Sequence, residues 1–100
     1  MSIAKFLVSK ANMVIIQKII ANLNNKFNSH EFIEKFSKEF ESDYIDFLTL
    51  YKSKNAFLSV HKQIAKFLSI NSATLRIRKT RKVSSRNIFG EMDNIQEWIK

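Results

Sequence analysis

One glycine and no proline occur in 100 residues. A chain built of many tight turns spends Gly and Pro at those turns, because Gly reaches φ > 0 and Pro presets φ. Their scarcity favours helices joined by short polar connections. The apolar supply is ample, at 45% hydrophobic with nine Phe and one Trp, so the chain can bury a core and does not read as disordered. The expectation is a single domain over residues 1–100, mainly all-α. It would be a compact bundle of four to five helices, with a short basic β-hairpin after Thr74 as the one alternative element.

Periodicity places the helices. Met13, Ile16, Ile20, Leu23 and Phe27 recur at three- and four-residue steps, which predicts a helix from about residue 11 to Phe27. A helix so apolar on most sides is buried or pairs with another chain, so these five residues are the candidate seam of a homodimer. Asn22, Asn24, Asn25 and Asn28 crowd together and predict a helix end and turn. Asn28 with Glu31 three residues later has capping-box spacing and opens the next helix. Phe32, Phe36, Phe40, Tyr44, Leu48 and Tyr51 continue it. They allow one long helix from 29 to 52, or a break near Ser42. Outward positions there carry most of the acids.

Val60, Ile64, Phe67 and Leu68 face the core from a helix capped by Ser53 or Asn55. Near the end, Asp93 and Gln96 have capping spacing, and Ile95, Trp98 and Ile99 predict a short C-terminal helix anchored to the core. Gly90 marks a turn.

Charge is divided unequally. Between Asp46 and Glu91 there is no Asp or Glu, while ten Lys or Arg occur. The densest part is residues 75–86, which hold Arg76, Arg78, Lys79, Arg81, Lys82 and Arg86. The whole chain carries +8. Positive charge gathered in this way points to an anionic partner, with nucleic acid first. Local structure here reads two ways. Ser72 can cap a helix through about Lys79, or Leu75 and Ile77 can alternate with Arg76 and Arg78 as a strand.

Residues 63–78 resemble the helix-turn-helix signature of DNA-binding proteins. Ala65 stands at the small position of the first helix, with Ile64 and Leu68 beside it. Ser69 and Ile70 stand at the turn, Asn71 or Ser72 at the cap, and Leu75 at the position that packs back. Ser69 departs from the usual turn glycine, and the last apolar position falls on Arg78. The resemblance implies a recognition helix offering Ser72, Thr74 and Arg76 to base edges, with Arg78, Lys79, Arg81, Lys82 and Arg86 on phosphates. It implies double-stranded DNA more than RNA, and a small transcriptional regulator. The competing reading is a helical protein–protein interaction module, or an inhibitor of viral or mobile-element type, without nucleic-acid binding.

Other chemistry is weakly represented. The chain has no cysteine, so no disulfide framework or thiolate metal site exists, which fits a cytoplasmic protein. His30 and His61 lack ligand spacing; His61 reads as a packed boundary residue and His30 as part of a helix's first turn. No catalytic residue, metal or cofactor is expected. The basic, apolar first 27 residues hold no run long enough to span a membrane and are read as part of the fold.

Overall fold

The computed structural model describes residues 3–87 and 90–100. Among these residues six helices run, in chain order, α1 Ile3–Val8, α2 Lys10–Ala21, α3 Ser29–Glu39, α4 Glu41–Leu50, α5 Ala56–Ile70 and α6 Ser72–Leu75. Strand β1, Lys26–Asn28, lies between α2 and α3, and β2, Arg78–Arg86, and β3, Met92–Ile99, follow α6. The all-α expectation is therefore corrected: helices pack with a three-stranded antiparallel sheet of order β1-β3-β2.

Two of the expected helices are the source of the error. The apolar run does not stay helical to Phe27. It ends at Ala21, where Asn22 Nδ2 donates to Lys18 O (3.0 Å) and Lys100 Nζ donates to Ala21 O (3.2 Å). A lysine on the last carbonyls favours stopping there. Phe27 instead lies in β1, directly opposite Trp98. The C-terminal helix expected from Asp93 is β3, the central strand, paired on both sides. The Asp93–Gln96 spacing caps nothing, since Gln96 donates from its side chain to Arg81 O across the hairpin (3.2 Å).

The second helix boundary held. Asn28 Oδ1 accepts from Glu31 N (2.9 Å) and Glu31 Oε1 accepts from Asn28 N (3.0 Å), a reciprocal box that satisfies two orphan donors. Asn28→Ala is expected to cost about 1 kcal/mol, read as a lower urea midpoint at unchanged slope; no change in midpoint would show that the box contributes nothing. The long helix is broken, two residues earlier than Ser42, at Phe40 (φ −116°, ψ 41°).

Phe27, Phe32, Phe36, Ile64, Leu68 and Trp98 form the centre of one continuous core, with Ile3 and Leu7 of α1. Phe6 lies edge-on to Phe40 and Phe47 at 5.4 and 5.1 Å. The candidate dimer stripe is used by the chain itself: Ile16, Ile20 and Phe27 are buried, and Met13 and Leu23 pack half-buried on the same core. Among the described residues no helix is long and apolar enough to cross a membrane.

Candidate nucleic-acid interface and the adjoining cleft

The basic stretch is mostly strand. After the single turn of α6, Arg76 adopts a left-handed conformation (φ 58°), unusual for a residue with a Cβ. It reverses the chain, and Ile77 is buried as β2 begins. Helix α5 runs through Ser69 to Ile70, whose side chain is 69% exposed rather than packed at a turn. The helix that the resemblance assigns to base edges is four residues long. Ser72 is half-buried and Thr74 exposed within it, and Arg76 is exposed just beyond it.

The other five basic residues share one element. Arg78, Lys79, Arg81, Lys82 and Arg86 are all exposed on β2, which is an edge strand of the sheet. A bulge between Lys79 and Lys82 sets Thr80 and Arg81 against the single residue Glu97. An extra residue of this kind re-aims its neighbours and blunts an edge. Glu97 closes the bulge: Thr80 Oγ1 donates to Glu97 Oε1 (2.7 Å), and Arg81 Nε stands 3.6 Å from the same oxygen.

Farther along the strand, Arg86 Nη1 donates to Gly90 O at the hairpin end (3.1 Å). Lys79 Nζ lies 5.9 Å above the Trp98 ring, a cation–π distance. In the register, Arg78, Ile99 and Lys26 are neighbours across all three strands, so Lys26 adds its charge beside Arg78. The cations of β2 thus have one another as neighbours along the strand, while its paired strand supplies two acids, Glu97 at the bulge and Asp93 opposite Ser85.

The far half of the hairpin docks on the helices through histidine. His30 Nδ1 is 3.0 Å from Ser85 Oγ, and its Nε2 is 4.0 Å from Asp93 Oδ2, Ser85 and Asp93 being direct partners across the strands. Opposite, His61 Nε2 is 2.6 Å from the Tyr44 hydroxyl, with the two rings stacked at 5.9 Å. Burial, and then the charge of His30, hold the His61 pKa below the ordinary value; burial pushes the Tyr44 phenol up. Both histidines line two adjoining hollows of about 340 and 330 Å³, and Arg86 forms part of one wall.

The two histidines lie thirty-one positions apart in sequence, on α3 and α5. Nothing in their local sequence announces that they meet, and the resemblance-based reading missed them. The visible signals were slight: His61 sat beside the apolar face of its helix, and His30 in the first turn of another. Among the described residues no group of His, Asp and Glu could hold a metal ion. Compared with family models, with curated proteins and with solved structures, the chain matches none.

Proposed function

We propose that this protein binds nucleic acid along β2, chiefly by its phosphates. The observation that carries the reading is the presence of Arg78, Lys79, Arg81, Lys82 and Arg86 together, exposed, on one nine-residue edge strand. Such a strand is about 30 Å long, so the cations can follow several successive phosphates. Duplex DNA is the first target, since a two-stranded β-ribbon fits the major groove. A one-turn α6 leaves little helix for base readout, so affinity rests on charge and any sequence preference is small. In this reading the protein acts as a small DNA-associated regulator.

Phosphate binding releases counterions, which fixes the test. Anisotropy titrations with labelled duplex DNA and RNA, repeated from low to moderate salt, should give log K falling linearly with log salt at a slope of about −3 to −5. The absence of binding to either nucleic acid at low salt would end the proposal.

A protein-interaction role is favoured by a different observation. Leu50, Leu58 and Ile70 are exposed large apolar side chains that a partner protein could cover. A complex recovered from the source cell that survives nuclease treatment would support that role.

A further inference from the structure

We propose that the cleft between α3, α5 and the β2–β3 hairpin is a metal-independent RNA-cleaving site, in which His61 acts as general base and His30 as general acid. The proposal rests on the reading of β2 as a nucleic-acid surface. It adds a reaction to that reading, with a strand of RNA as the substrate.

The chain has two histidines, and the fold brings both to one cleft. Each ring is held by a second group, the arrangement that makes an imidazole useful in proton transfer. For His61 that group is the Tyr44 hydroxyl, 2.6 Å from Nε2. When Nε2–H donates to Tyr44, Nδ1 carries the lone pair. For His30 the holders are Ser85 Oγ, 3.0 Å from Nδ1, and Asp93, whose carboxylate at 4.0 Å from Nε2 is long for a hydrogen bond. The imidazolium proton on Nε2 can therefore be passed on.

The strand that supplies the phosphate contacts runs into this cleft. Arg86, the last residue of β2, lines it beside both rings, and Lys62 lines the adjoining hollow. Backbone laid along Arg78, Lys79, Arg81 and Lys82 is led toward the histidines. The charged and titratable groups around His61 are Tyr44 from α4, His30 and Glu34 from α3, Lys62 from α5, Arg86 from β2 and Asp93 from β3. Lys62 and Arg86 balance the two carboxylates there. The depressed His61 pKa keeps that ring neutral, as a base must be, to lower pH than an ordinary histidine.

The reaction balances without a co-reactant. His61 Nδ1 takes the proton of a ribose 2′-hydroxyl. O2′ attacks the adjoining phosphorus and forms the P–O2′ bond. The P–O5′ bond breaks with its electron pair on O5′, which takes the proton of His30 Nε2. The products are a 2′,3′-cyclic phosphate and a 5′-hydroxyl. Solvent then returns His61 to neutral and His30 to its cation. DNA lacks the 2′-hydroxyl, so it can bind and cannot be cut.

The test uses end-labelled single-stranded RNA, the same sequence in DNA, and the same RNA with 2′-O-methyl groups, all in EDTA from acidic to neutral pH. The purified protein should cut the RNA to cyclic-phosphate ends with a bell-shaped pH–rate profile, and should leave the DNA and the methylated RNA whole. His30→Gln and His61→Gln should each lower the rate about 100-fold or more. Both should keep the wild-type circular dichroism spectrum and the wild-type salt dependence of RNA binding. Tyr44→Phe, which changes a positioning residue, should still cut but with its pH profile shifted. RNA that is bound but never cut overturns the cleft assignment and leaves the binding surface standing. Absence of binding at low salt overturns both. Cutting that survives in folded variants of either histidine, or cutting of methylated RNA, also overturns the assignment.

Discussion

Trp98→Ala is expected to destabilise the protein by about 3–5 kcal/mol, the largest effect of any single substitution considered. Trp98 is 1% exposed and stands in the central strand opposite Phe27, also 1% exposed. Its ring is the point where sheet and helices share one core. Truncation removes that apolar area and leaves a cavity whose rim, made by three elements, cannot collapse freely. It also removes a polar contact, because Trp98 Nε1 donates to the buried Ser29 Oγ (3.2 Å).

Ser29 Oγ would keep only its long contact with Gln96 O, at 3.5 Å, and a buried hydroxyl short of partners costs further. Domains of this size hold about 5–15 kcal/mol in total, so the variant should be near the limit of folding. Urea unfolding followed by far-ultraviolet circular dichroism measures it, since Trp98 is the one tryptophan. Trp98→Phe keeps most of the ring volume and should cost less. A loss below about 1 kcal/mol for the alanine variant would contradict the role given to this side chain.

Arg78→Glu combined with Lys82→Glu should weaken nucleic-acid binding on the order of 100-fold at low salt, about 2.7 kcal/mol. Both side chains are exposed on β2, so the fold should be nearly unaffected. Each reversal removes one phosphate contact and sets a like charge beside the backbone. The salt slope should fall by about 2, one for each lost contact. Anisotropy at several salt concentrations measures both quantities. A slope that stays at the wild-type value would place the contact surface elsewhere. Arg81 is a poorer choice for reversal, because its ion pair with Glu97 closes the bulge and a change there would mix strand geometry with charge.

What could be read from the residues alone was local. The Asn28–Glu31 box is complete within four positions, and its two hydrogen bonds form as the spacing requires. The face of α5, with Val60, Ile64, Phe67 and Leu68, is buried as its period demands. The cation-rich stretch was legible as a surface in either conformation, because exposed charge avoids the core whatever the backbone does. The alternation of Leu75 and Ile77 with arginines pointed to a strand over these residues, yet Leu75 closes α6 and the strand begins only at Arg78.

What the sequence could not show was non-local. Ile95, Trp98 and Ile99 are spaced three and four apart, which is helical on its face, yet they lie in β3. Trp98 points to the core with Phe27, while Ile99 faces the other way between Lys26 and Arg78. Both faces of the strand are partly covered, so period two is lost. Pairing with Lys26–Asn28, about seventy residues earlier, overrides local preference, because hydrogen bonds along both edges and one shared core outweigh a weak helical tendency. The same long-range closure brings His30 to Ser85 and Asp93 and sets it beside His61. The chain by itself determined the Asn28–Glu31 cap, the buried face of α5 and its cationic stretch, all of which depend on residues a few positions apart. Only the tertiary structure decided the sheet and the two-histidine cleft, since both depend on contacts between residues that sequence order keeps apart.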